Sequence, residues 1–143
     1  MTSSGAKEGV EWAGDAKKLL QVNGQGHSDG NNMEAPYIFK RGSTYFLTFS
    51  THFTGDGTYD VEYATSTKVT GPYTRADKPL LQTTDDYGCS IIGPGGASFQ
   101  RLQEDASTVR MIFHGLTAAK DINKRVVYTA TVQVDGNKLS IKS

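Results

Sequence analysis

The chain has 143 residues, with 15 Lys and Arg balancing 15 Asp and Glu, and a pI near 6.8, the dimensions of one ordinary globular domain. No basic run exceeds Lys17-Lys18 or Lys40-Arg41, which excludes a phosphate-tracking surface and makes nucleic acid a poor partner. The single cysteine, Cys89, rules out an intrachain disulfide and a thiolate zinc site and is expected to be packed.

The amino terminus has no apolar run of signal-peptide length, and no stretch approaches the roughly 18 to 20 apolar residues of a membrane span. A soluble chain, intracellular or already trimmed, is the expectation. Asp15 can cap a short helix over Ala16–Leu20 by propensity. Residues 23–32 are so rich in Gly, Asn and Asp that they read as a loop. Beyond them, short runs of Val, Ile, Thr, Tyr and Phe alternate with Gly, Asp, Asn and Pro clusters, a strand-and-turn pattern that reads as all-β. The predicted strands are Pro36–Lys40, Thr44–Ser50, Tyr59–Ser66, Tyr73–Ala76, Ala97–Gln103, Val109–Gly115, Arg125–Val134 and Lys138–Lys142. In Asp60–Thr65, Val61 and Tyr63 alternate with Asp60 and Glu62, as where one sheet face is drier than the other. Hairpin turns are predicted at 41–44 and at 135–137, where Gly and Asn tolerate positive φ.

The chain also repeats itself. Ala35-Pro-Tyr-Ile-Phe, Phe-Leu-Thr-Phe-Ser and Val-Glu-Tyr-Ala-Thr are echoed from Ala97 onward by Ala-Ser-Phe-Gln-Arg, Met-Ile-Phe-His-Gly and Val-Val-Tyr-Thr-Ala-Thr. Each unit holds four strands, the content of a β-propeller blade. A single lectin-like sandwich also accommodates about eight short strands, but has no reason to contain two similar units.

Four stretches carry a resemblance to glycoside hydrolase family 43, the five-bladed propellers of arabinanases, β-xylosidases and arabinofuranosidases. "MEAPYIFKRGSTYFLTFS" resembles its acidic-residue-then-Pro motif with the following hairpin, and "YDVEYATSTKVTGPYTRADKPLL" its next strand and edge. "IIGPGGASF" is similar to the Gly-Pro-Gly opening of its last blade, and "MIFHG…KRVVYTATVQVDG" to that blade's central strands. The resemblance spans residues 9–143 and implies a partial β-propeller: about two four-stranded antiparallel blades plus the outer strand of a preceding blade. Val10–Val22 is then strand rather than helix. The implied organisation is a flexible 1–8, an outer strand and loop at 9–34, a first full blade at 35–82, a linker at 83–96 and a second full blade at 97–143.

The resemblance makes Glu34 the general acid of an inverting glycosidase. Its partner base aspartate would stand about 6.5–9.5 Å away across the sugar, and partial burial near the propeller axis would raise the acid's pKa. In the family the base lies in the first blade, so it is not identifiable in this chain. Asp56, Asp60, Asp85 and Asp86 fall where loops or outer strands are implied. His114 and Arg125 match sugar-contacting positions; the bland readings are a His bonded within a strand pair and an Arg on a solvated edge. Gly96 stands where many members carry a His after Gly-Pro-Gly, which puts an axial calcium or water in doubt, and no cofactor is expected. The loop Thr54–Asp60 offers carboxylates and carbonyls, but without the spacing of an EF-hand, so turn chemistry explains it better. Most aromatics are expected to pack, with Trp12 and Phe53 exposed. His27 and His52 are expected at the surface.

The implied partner is carbohydrate, in an extracellular setting by resemblance, with no membrane contact. Two blades leave apolar faces uncovered, so a second copy or a complementary propeller half is expected. Two readings of function follow: a fragment or half-size relative of a glycosidase acting on arabinose- or xylose-containing polysaccharide, with little activity alone, or a non-catalytic carbohydrate-binding or self-assembling protein.

Overall fold

The computed structural model describes residues 15–24, 29–102 and 107–142. Eight strands form two four-stranded antiparallel meanders. The first sheet contains β1 (Met33–Arg41), β2 (Thr44–Thr51), β3 (Asp60–Ser66) and β4 (Thr74–Arg75). The second contains β5 (Ile92–Arg101), β6 (Thr108–Leu116), β7 (Arg125–Asp135) and β8 (Lys138–Ile141), with a 3-10 turn at Ile122–Lys124 before β7. This is the all-β partial propeller anticipated from the repeat. The β1–β2 hairpin turns at Gly42 (φ 54°) and the β7–β8 hairpin at Gly136 (φ 60°), as the local chemistry requires.

Both first strands begin earlier than predicted, because bulges let irregular sequence stay in the ladder. In β1, Glu34 pairs with Ser50 and Tyr37 with Thr48, so Ala35-Pro36 holds one extra residue, with Ala35 at φ 51°. In β5 the register shifts twice between Ile92 and Ser98, around Gly93 (φ 53°) and Gly96 (φ 63°). Such bulges bend a strand and re-aim side chains near its end. Glu34 therefore sits inside a strand rather than in the loop before it.

Phe39, Phe46, Val61 and Tyr63 of the first sheet pack against Phe99, Val109, Met111 and Phe113 of the second. Phe39 stacks on both Phe46 (5.0 Å) and Phe99 (4.9 Å), and the Tyr37 hydroxyl donates to the Phe99 carbonyl at 2.6 Å. Burial of these apolar faces is what joins the two blades.

The opposite face of the first sheet is covered as well. Leu47, Phe49, Ala64 and Tyr73 form a second cluster against which Leu19 and Leu20 pack. Residues 15–24 are neither helix nor strand, which corrects both readings of this region within the described residues. Its backbone bonds go to side chains instead of a ladder: Arg75 Nη2 donates to the Gln21 carbonyl at 2.7 Å and the Asn23 amide to Asp29 Oδ2 at 2.9 Å. Cys89 is exposed, not packed, because it lies in the loop that bulges out between the paired Thr84 and Ile91. His27 and Trp12 lie outside the described residues.

Candidate active site

Glu34 is fixed by its bulge and by two donors. Its Oε1 accepts from the Tyr59 hydroxyl at 2.8 Å and from Asn32 Nδ2 at 3.2 Å. The side chain is otherwise exposed, so the two blades do not themselves supply the burial expected for a desolvated acid.

Tyr59 is 3 % exposed and owes its place to glycines. A Cβ on Gly95 would stand 1.9 Å from its ring, and one on Gly93 3.6 Å from its Cβ. The Gly-Pro-Gly run thus opens a bed for an aromatic ring. The other ring neighbour is His114, stacked at 5.8 Å and 12°. Burial pushes the phenol up to about 12, and the hydrogen bond and charge of Glu34 add to that push, while a Ser50 hydrogen bond opposes it.

His114, on β6, is half-buried, and its Nδ1 is buried without a hydrogen-bond partner among the described residues. Burial first, and the Arg125 charge second, hold its pKa below the usual imidazole range, with Glu34 pulling the other way. The ring therefore stays neutral near pH 7. A Cβ on Gly96 would lie 2.9 Å from His114 Cδ2 and 3.0 Å from its Nε2, so any side chain at 96 would have to displace this imidazole. Arg125, exposed at the start of β7, donates from Nη2 to Thr54 Oγ1 at 2.9 Å. The fold brings Glu34, His114 and Arg125 together around Tyr59, a residue that sequence reasoning treated as packing. No local signal marks Tyr59 out, since its bed is made by glycines more than thirty positions away.

A family model, glycosyl hydrolases family 43, matches residues 7–136. The chain belongs to glycoside hydrolase family 43. A β-D-galactofuranosidase of Aspergillus niger is 34 % identical over 71 residues, which are 50 % of this chain and 19 % of that protein. The endo-1,4-β-xylanase of Bacteroides thetaiotaomicron superposes with a TM-score of 0.68 at 26 % identity, over 80 % of this chain and 39 % of that one. An α-L-arabinanase of Cellvibrio cellulosa, complexed with arabinohexaose, superposes at 0.61 with 24 % identity, over 77 % of this chain and 36 % of that one. This family 43 chain thus spans well under half the length of these relatives.

A second group of ionisable side chains lies within the first sheet of the family 43 chain. Strand β3 is buried on both faces, so the drier-face reading of Asp60 and Glu62 is corrected: the covering segment and Arg75 bury the acidic face too. Arg75 Nη1 contacts Asp29 Oδ1 at 2.7 Å and Glu62 Oε2 at 3.3 Å, and its guanidinium lies 5.0 Å over the Phe49 ring. Thr51 Oγ1 donates to Asp60 Oδ1 at 2.6 Å, and His52 Nδ1 lies 3.5 Å from Asp60 Oδ2. His52 is less exposed than expected for that reason, with 28 % of its side chain accessible. Burial, then the charges of Asp60 and Asp29, push Glu62 up to about 7 against the opposing pull of Arg75 and His52. Asp60 is raised by its own burial.

Neither group fits a metal. Among the described residues there is no set of three or more His, Cys, Asp or Glu side chains arranged to hold an ion. In the loop Thr54–Asp60, Asp56 Oδ1 is occupied by the Thr58 amide (2.9 Å) and hydroxyl (2.6 Å), an Asx turn. No helix among the described residues is long and apolar enough to cross a membrane.

Proposed function

We propose that the chain carries the general-acid side of a glycosidase site for arabinose- or xylose-containing polysaccharide, with Glu34 as the acid. The observation that carries this reading is the geometry of the Glu34 carboxyl. One oxygen is held by Tyr59 and Asn32, while Oε2 has no hydrogen bond among the described residues, and the residue is exposed at a strand bulge. An oriented carboxyl with one open oxygen is what protonation of a leaving glycosidic oxygen needs. His114 and Arg125, beside it, are the sugar-contacting groups in this reading.

Inversion also needs a carboxylate to activate water. Asp60 is buried and bonded to Thr51, and Asp56 is used by its turn. In this proposal the base belongs to the part of the propeller that this chain does not span, and the chain alone turns over little. The test is hydrolysis of arabino- and xylo-oligosaccharides beside their nitrophenyl glycosides, with Glu34→Gln as control. Loss on the natural linkages with sparing of nitrophenyl release, whose leaving group needs no proton, is expected. Equal activity of the variant on both, where the original chain shows measurable turnover, would overturn the assignment.

A second reading, binding or assembly without turnover, is favoured by one feature. On the outer face of the second sheet Ile112 is 45 % and Val127 74 % exposed, an apolar surface suited to another blade. Light scattering separates the readings: a dimer or a complex with a complementary half supports assembly, and a monomer at high micromolar concentration counts against it.

A further inference from the structure

Asp60 is a buried carboxylate that the acid chemistry does not use. It is 4 % exposed, and burial pushes its pKa up against the opposing pull of Thr51 and His52. A covered charge needs donors aimed at it, and here they come from the last residue of β2 and the one after it. Thr51 Oγ1 lies 2.6 Å from Asp60 Oδ1 and 3.0 Å from His52 Nδ1, and His52 Nδ1 lies 3.5 Å from Asp60 Oδ2.

These distances assign the tautomer of His52. A hydroxyl has one proton, and Thr51 gives its own to the Asp60 carboxylate, so toward the imidazole its oxygen accepts. In the neutral ring Nδ1 therefore carries the hydrogen and Nε2 does not.

The ring so tethered belongs to a strained turn. His52 sits at φ 65°, a backbone state that persists only where the surroundings over-determine it. Its amide donates to the Asp29 carbonyl at 3.2 Å, and a Cβ on Gly30 would stand 3.3 Å from its Cδ2, so a side chain at 30 would crowd the imidazole. The His52 carbonyl accepts from Asn32 Nδ2 at 3.1 Å, and the same nitrogen donates to Glu34 Oε1 at 3.2 Å. Two acceptors face that amide, so both its hydrogens are committed and its orientation is set.

We propose that Asp60 is a positioning residue for Glu34, acting through the Nδ1–H tautomer of His52, the His52 carbonyl and the Asn32 amide. This rests on the acid reading of Glu34 above. Asp60 touches no substrate. It holds the His52 carbonyl where Asn32 can bridge to Glu34 Oε1, which keeps Oε2 as the open oxygen.

Nitrogen-15 NMR at pH 7 tests this on the original chain, on Asp60→Ala, His52→Gly and Glu34→Gln, and on Glu34→Gln combined with each of the other two. Backbone amide spectra confirm that each variant is folded. The chain has three histidines, so the His52 ring signals are assigned by their loss in His52→Gly. In the original chain a protonated Nδ1 and a bare Nε2 are expected. Asp60→Ala frees the Thr51 proton for Nδ1 and should reverse them. Glu34→Gln should move an Asn32 side-chain amide proton in the original chain. Less than about half of that movement should remain in the Asp60→Ala and His52→Gly backgrounds, because the coupling runs through the deleted contacts. A bare Nδ1 in the original chain overturns the proposal, and so does an Asn32 signal that ignores Glu34→Gln. An equal movement in all backgrounds also overturns it and makes Asp60 a structural group alone. If Asp60→Ala does not fold, the tautomer and the His52→Gly comparison decide. None of these signals depends on turnover, so the hydrolysis test of Glu34→Gln decides the acid reading separately.

Discussion

Glu62→Gln tests the buried acid group through its pH dependence. Glu62 is 5 % exposed, its Oε1 has no hydrogen-bond partner among the described residues, and its pKa is pushed from 4.5 to about 7. A carboxyl whose folded pKa is raised holds its proton more tightly when folded, so its contribution to stability is full below 4.5 and is lost as the pH rises through about 7. Each pH unit in that window costs about 1.4 kcal/mol, and the whole span about 3 kcal/mol. The Gln variant has no such proton to hold. Urea unfolding followed by far-UV circular dichroism at pH 4.5, 6 and 8 measures the difference. The variant should gain about 3 kcal/mol relative to the original chain between the lowest and highest pH. A difference that stays flat to within about 1 kcal/mol across this range would refute the argument.

Arg75→Met withdraws the cation that contacts both Asp29 and Glu62, and by the same unfolding assay should destabilise by about 3–5 kcal/mol above pH 7. That loss should shrink toward pH 4.5 as Glu62 takes up its proton; a pH-independent loss would point to packing over Phe49 instead. Gly95→Ala places a methyl where the Tyr59 ring lies and should cost about 1–3 kcal/mol by overpacking. It should also return the Tyr59 phenol from about 12 toward 10 in a spectrophotometric titration, and an unaltered titration would show that the ring is not seated there.

Most of the β architecture was legible because its signals are local. Alternation and turn residues marked the eight strands, and the echo of Ala35–Thr65 in the second half marked two similar four-stranded units. The strand starts were harder. Gly93-Pro94-Gly95 and Ala35-Pro36 look like chain breaks, yet paired bulges keep them in the ladder, and a bulge depends on the partner strand. Cys89 looked like a core residue by type, and its exposure follows from the loop geometry around Thr84 and Ile91.

Glu34, His114 and Arg125 could be nominated because short motifs carry them. Tyr59 and the buried Asp29, Glu62 and Arg75 were not, since nothing within a few residues distinguishes a packed tyrosine from one that bonds an acid, or a solvated carboxylate from a covered one. By itself the sequence determined strand content, turn positions, the twofold repeat and the family. Only the tertiary structure decided which side chains meet and which charges are buried, because hydrogen bonding and desolvation act between groups brought together across strands and loops.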